Sequence, residues 1–170
     1  ITFPRSVGQI PMYYNHTRIG RPFTPGKPGN YTSQYFEEPN GPLYPFGYGL
    51  SYTQFKYSEM NLSSTNLKGN QTLNISVNVS NTGKYDGEEV VQLYIRDLFG
   101  KVVRPVKELK GFQKIFLKKG ESKRVTFDIT PESLKFYNGD LKYDWESGEF
   151  DVMIGTSSAD VKHSKINWTK

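Results

Sequence analysis

The chain contains no cysteine. Disulfides, thiolate metal sites and cysteine nucleophiles are thereby excluded, and the redox compartment stays open. Histidine is nearly absent. His16 and His163 are far apart, and neither has the neighbouring His, Asp or Glu ligands that a metal site gathers. No Gly-x-Ser-x-Gly elbow supports a Ser-His-Asp arrangement. Gly47-Tyr48-Gly49 lacks the third glycine and the strand-to-helix setting of a dinucleotide fingerprint. No metal and no cofactor are expected. No stretch approaches the ~18 apolar residues of a membrane helix. Neither a heptad, an internal repeat nor a low-complexity tail is present. The chain opens Ile-Thr-Phe-Pro, without an initiator methionine or the charged start and apolar run of a signal peptide. We read it as a piece of a longer protein, so the missing signal says nothing about export.

The charge is +5, from 22 basic and 17 acidic side chains among 170 residues. The lysines are spread along alternating segments beside acidic residues. A nucleic-acid footprint gathers its charge into a patch or stripe, so a solvated basic surface is the better reading. Neither nucleic acid nor membrane is expected as a partner.

Aromatic residues are abundant, at 15% of the chain with 12 Tyr and 11 Phe. Many fall in the first 60 positions. Such rings bury large areas while keeping a polar handle, which suits interfaces and sugar-stacking surfaces. The densest stretch is 41–53, Gly-Pro-Leu-Tyr-Pro-Phe-Gly-Tyr-Gly-Leu-Ser-Tyr-Thr. Pro42 and Pro45 each remove a backbone donor and restrict the preceding residue, so neither a regular helix nor a central strand forms here. Gly41, Gly47 and Gly49 admit backbone angles closed to other residues. The segment reads as a rigid, sharply turning connector that packs Tyr44, Phe46 and Tyr48 against something.

Two regions follow. Residues 1–52 are rich in Pro, Gly, Tyr and Asn, with little periodicity. Residues 53–170 alternate apolar and polar with period two, the pattern of half-buried strands. The clearest case is 72–80, where Leu73, Ile75, Val77 and Val79 alternate with polar residues. Residues 88–97 should place Val91, Leu93 and Ile95 inward and Gln92, Tyr94 and Arg96 outward. A strand-pair region is expected over 109–117, with Gly111 marking a bulge or a close backbone approach. Further strands are expected over 54–62, 122–130 and 148–155, and a weak one over 165–169. Pro131 to Leu134 reads as a helical turn, and Asn138-Gly139 as a hairpin turn. The whole is an all-β, antiparallel sandwich of immunoglobulin or fibronectin type III-like design, preceded by an irregular aromatic- and Pro/Gly-rich extension.

Residues 41–53 closely resemble the Pro-Phe-Gly-x-Gly-Leu-Ser-Tyr-Thr motif of the family 3 glycoside hydrolases. In that family the motif lies just before a C-terminal fibronectin type III-like domain. The opening residues 2–14 resemble the end of the α/β sandwich domain of those enzymes. Val79-Ser80-Asn81-Thr82-Gly83, Gly87 to Tyr94, Arg104 to Phe112 and Lys119-Gly120-Glu121 resemble successive parts of the C-terminal domain. The likeness is greatest to the bacterial periplasmic β-glucosidases. It implies residues 1–52 as the tail of the preceding domain plus connector, and 53–170 as the fibronectin type III-like domain. It further implies a parent enzyme that removes terminal β-D-glucosyl units with retention, and a periplasmic or secreted location. The family's nucleophile Asp and acid/base Glu belong to motifs upstream of this chain, so no catalytic residue is placed in it. The Asn-x-Ser/Thr sites, among them Asn74 and Asn78, then read as polar surface.

Retention requires two carboxyl groups about 5 Å apart. Glu37-Glu38 and Glu88-Glu89 are adjacent in extended chain and point to opposite faces. Asp140, Asp144, Glu146 and Glu149 flank turns and read as solubilising. In the extension, Tyr13, Tyr14, Arg18 and Phe23 together with Arg21, Tyr31, Tyr35 and Phe36 have two readings. Either they frame a sugar subsite on the aglycone side of the pocket, or they bury against the upstream domains. Tyr44, Phe46, Tyr48, Tyr52 and Arg104 are expected to pack between domains. Expected partners are the upstream catalytic domains and the parent enzyme's oligosaccharide or glucoside. Rings exposed in their absence imply self-association. An independent carbohydrate-binding module and a protein-interaction scaffold are the alternatives.

Overall fold

The computed structural model describes residues 1–22, 31–35 and 37–170. Two sheets are formed by β1 (Phe55–Tyr57), β2 (Asn61–Leu62), β3 (Asn66–Lys68), β4 (Leu73–Asn81), β5 (Gly87–Asp97), β6 (Glu108–Leu117), β7 (Ser122–Ile129), β10 (Gly148–Gly155) and β11 (Val161–Thr169). The short strands β8 (Phe136–Tyr137) and β9 (Tyr143–Asp144) make a separate hairpin. In the first sheet β4 is central. It pairs along one edge with β7, from residue 73 to 80, and along its other edge with β1 through residues 79–81 and with β2 through Ile75 and Ser76. The second sheet has the order β3-β11-β10-β5-β6. Among the described residues these strands pair antiparallel, except β3 with β11.

The alternation read from the sequence builds the core. Leu73, Ile75, Val77 and Val79 of β4 meet Val91, Leu93 and Ile95 of β5, with Val152 and Ile154 of β10 and Trp168 of β11. Burying side chains of this size drives the collapse at roughly 1.5–3 kcal/mol each. Polar residues of β4 and β7 are tied across the outer surface of the first sheet. Asn74 Nδ2 donates to Asp128 at 2.6 Å, and Arg124 to Ser76 Oγ at 2.9 Å.

The structure corrects several details. Region 109–117 is one strand, not a pair. Its register shifts where Leu93 pairs with Gly111 and Tyr94 with Leu109, leaving Lys110 as the extra residue. What comes close to Gly111 is a ring, since a Cβ there would stand 3.2 Å from Phe127. The weak last strand extends back to Val161, because β10 offers it a full antiparallel partner. Strand β3 carries no periodic signal, having Leu67 alone as an inward apolar residue. The turn at Pro131–Leu134 is 3-10 helical, and Asn138 closes its hairpin by accepting from Asp140 and Lys142.

The largest departure is on the outer face of β5. Gln92 and Tyr94 were expected to face water, yet they are 4% and 0% exposed. The extension covers them.

Candidate functional site

The extension is a folded strap rather than a loose tail. Its first stretch is bound to the connector. Phe3 exchanges backbone hydrogen bonds with Leu43 and Tyr44. Gln9 is buried and clamps both ends of the strap, accepting from Arg5 N–H at 2.7 Å and donating to the Pro39 carbonyl at 2.8 Å. Farther on, Thr17 bridges to Pro105, and Val106 N–H donates to the His16 carbonyl at 2.9 Å.

Two rings seat the strap on the sandwich. Tyr14 stacks on Phe46 with centroids 4.2 Å apart, and meets Tyr94 edge-on at 5.8 Å. Such pairs contribute about 0.5–1.5 kcal/mol beyond the area they bury. The Tyr14 hydroxyl also accepts from Leu109 N–H at 3.3 Å, beside the β6 bulge. Phe46 adds a main-chain anchor, its carbonyl accepting from Ser158 N–H at 2.8 Å.

Gln92 completes the seat. Its Nε2 donates to the carbonyls of Gly47 at 3.0 Å and Thr156 at 2.6 Å, and its Oε1 accepts the Tyr94 hydroxyl at 2.5 Å. The carboxamide therefore joins the connector, β5 and the turn after β10. Gly47 has φ +80°, and a Cβ there would collide with the Gln92 amide, so glycine is required twice over. Burial pushes the Tyr94 hydroxyl pKa up, with a smaller contribution from Tyr14.

The far end of the connector is held by a second buried amide. Thr53 Oγ1 donates to Asn81 Oδ1 at 2.6 Å, and Gly83 N–H donates to the same oxygen at 3.1 Å. Asn81 Nδ2 donates to the carbonyls of Tyr85 and Leu117. Gly83 lies against Thr53 so closely that a Cβ would stand 2.5 Å from Gln54 N. Nearby, the Tyr57 hydroxyl donates to Glu89 Oε1 at 2.8 Å. Burial raises the Glu89 carboxyl above its ordinary range; the Tyr57 bond opposes this and Asp160 adds to it.

The expected site residues are distributed over different parts of this assembly. Phe46 stacks on Tyr14 of the same strap. Tyr44 meets Phe3 edge-on and stacks on Tyr48, but Tyr44 and Tyr48 remain exposed. Tyr52 is 98% exposed and packs on nothing described. Arg104 is engaged within the sandwich. Its guanidinium pairs with Glu108 at 2.8 Å and lies over the Phe136 ring at 3.9 Å. Arg21 lies over the Tyr31 ring at 5.7 Å, both exposed. Tyr35 lines a separate cleft of about 550 Å³ with Tyr13, His16 and Asn40. Phe36 and Phe23 lie outside the described residues. Gln92 and Asn81 were missed as site residues, since a polar residue in a strand reads as solvent-facing unless the covering segment is known.

The geometry is a docking assembly. Among the described residues, no group of three or more His, Asp or Glu side chains is placed to hold a metal ion.

Residues 89–158 match the fibronectin type III-like domain family. The chain is 57% identical over 166 residues to the periplasmic β-glucosidase of Salmonella typhimurium, covering 98% of this chain and 22% of that protein. It is 48% identical over 170 residues to a putative β-xylosidase of Formosa agariphila, covering 100% of this chain and 21% of that protein. A crystal structure of a Listeria innocua β-glucosidase in complex with isofagomine matches with a TM-score of 0.93 and 43% identity, over 99% of this chain and 24% of that one. The chain thus spans 21–22% of the length of these two curated relatives.

Proposed function

From the premise that this chain belongs to the fibronectin type III-like C-terminal regions of the family 3 β-glucosidases, we propose that it is a non-catalytic module bracing the catalytic domains of a longer glycoside hydrolase. Residues 1–52 are the tail of the preceding domain and its connector, and residues 53–170 are the bracing sandwich. The parent enzyme hydrolyses terminal β-D-glucosyl residues with retention and works in the periplasm or outside the cell.

One observation carries this reading. The strap buries some of its rings on the sandwich and leaves others exposed. Tyr14 is packed between Phe46 and Tyr94, whereas Phe3, Leu43, Tyr44, Tyr48, Leu50 and Tyr52 are left exposed. Contiguous exposed rings of this kind mark a surface made to be covered. The bracing role follows from catalysis itself, because a small misplacement of a catalytic group lowers the rate steeply.

Arg21, Tyr31 and Tyr35 border the aglycone side of the pocket in this reading. The likeness to a putative β-xylosidase favours a β-xylosyl substrate as the second reading.

The test is hydrolysis of an aryl β-glucoside and an aryl β-xyloside by this chain, by the separately made upstream portion, and by the two combined. Activity of the upstream portion that rises on adding this chain supports bracing. Folded pieces that never influence each other remove it, and turnover by this chain alone refutes the non-catalytic assignment.

A further inference from the structure

A cleft of about 450 Å³ opens where the strap passes the end of β5. It is walled by residues 18–20, by Arg96 and Asp97, and by the 98–106 connection. Three guanidinium groups line it, and their situations differ. That of Arg104 is held by Glu108 and stacked on Phe136. Those of Arg18 and Arg96 have no hydrogen-bond or ion-pair partner among the described residues.

Each of the surrounding carboxylates holds a hydrogen-bond partner other than Arg18 or Arg96. Glu108 serves Arg104 and, at 3.5 Å, Lys110. Asp151, opposite Arg96 on β10, bonds His163 at 2.8 Å through Oδ2 and leaves its buried Oδ1 without a hydrogen-bond partner. Glu146 accepts from Lys101 N–H at 2.8 Å. Asp97 accepts from Phe99 N–H at 3.1 Å. Lys107 adds positive charge beside Arg96 while donating to the Ser158 carbonyl at 2.5 Å. Asp97 and Glu146 keep their negative charge and offset part of the positive charge here, but no carboxylate is paired with Arg18 or Arg96 among the described residues. Around these two arginines stand Ile19, Phe99 and Val103, all exposed.

We propose that this cleft is a binding site for a small organic anion, a carboxylate or phosphate on an apolar body, with Arg18 and Arg96 as its two anion-binding residues. The planar guanidinium matches both oxyanions and forms charge-assisted bonds with them. The apolar rim receives the body of the ligand. Arg18 belongs to the strap and Arg96 to the sandwich, so a bound anion links the two.

The experiment follows the arginine Nε–Hε resonances of the ¹⁵N-labelled chain at low ionic strength during titration with phenylacetate and, separately, inorganic phosphate. Saturable shifts are expected, weakened by added sodium chloride as exposed charges are screened. Arg18→Gln and Arg96→Gln should each weaken binding about tenfold or more, the size of one charge-assisted hydrogen bond. Phe99→Ala should weaken phenylacetate and spare phosphate. Tighter binding of phenylacetate supports an organic ligand, and binding of phosphate alone overturns that part of the proposal. The absence of saturation with either anion, or saturation unchanged in Arg18→Gln, overturns the site. Arg18 is exposed, so its replacement tests the site independently of folding.

Discussion

The Gln92 carboxamide occupies the space that a side chain at position 47 would need. A Cβ on Gly47 would stand 1.9 Å from Gln92 Oε1, while Gln92 Nε2 donates to the Gly47 carbonyl at 3.0 Å. The connector's sharpest turn and the buried amide of β5 are thus shaped to each other.

Gly47→Ala should undock the connector. A non-glycine residue at φ +80° costs about 1 kcal/mol, and relieving the overlap costs about 1–3 kcal/mol more. Limited proteolysis is the measurement. Cleavage within 41–52 should accelerate while the core strands stay protected; an unchanged digestion pattern counts against the docking described above.

Gln92→Ala should destabilise the chain by about 1–3 kcal/mol, because two carbonyls and the Tyr94 hydroxyl lose their partner. Tyr94→Phe should cost less, about 1 kcal/mol. Urea unfolding of the singles and the double should reveal a coupling of at least about 0.5 kcal/mol. Strict additivity would mean that the Tyr94–Gln92 hydrogen bond contributes nothing.

Gly83→Ala presses on the backbone at Gln54, which cannot swing away as a side chain can. A loss of about 1–3 kcal/mol in urea unfolding is expected. Gly139→Ala, with open space around the added methyl, is the control and should change stability by less than about 0.5 kcal/mol.

Glu89 sets a pH dependence whose sign is opposite to that of a salt-bridged carboxylate. Burial raises its folded-state pKa, so the folded chain binds the proton more tightly than the unfolded one. Its contribution is favourable at low pH and is lost as pH rises through and above the ordinary carboxyl range. Glu89→Gln keeps an acceptor for the Tyr57 hydroxyl and removes the charge. The stability of that variant relative to the parent chain should rise between pH 4 and pH 7 on a scale of about 1 kcal/mol or less, given the group's partial exposure. A difference independent of pH would remove Glu89 as the cause.

In the longer enzyme, Arg21→Ala and Tyr35→Ala should shift KM for aryl glycosides by roughly two- to fivefold and leave kcat nearly unchanged, as expected for contacts of ring and cation type. Unchanged kinetics in both variants would place the strap away from the pocket.

Most strands of the sandwich were legible because each buries one face. Val77 and Val79 must point one way and Asn78 the other, whatever the partner strand is. The hairpin around Asn138-Gly139 was legible from its turn residues, but its loop spans 138–142 and the residue in the left-handed region is Leu141, at φ 59°. Strand β3 was not, since its pairing with β11 is made by backbone groups that any residue supplies. Phe112 carried a misleading signal, being apolar yet 65% exposed on β6.

By itself the sequence determined the fold class and the absence of thiol chemistry, because composition and period-two patterning are properties of each segment alone. Only the tertiary structure decided what lies beneath the strap. Whether Gln92 and Tyr94 meet water depends on Tyr14 and Phe46 arriving from a distant part of the chain. Whether Arg104 is engaged while Arg18 and Arg96 stand open depends on which carboxylates the fold brings within hydrogen-bonding reach. Burial and pairing are relations between segments, and no single segment carries them.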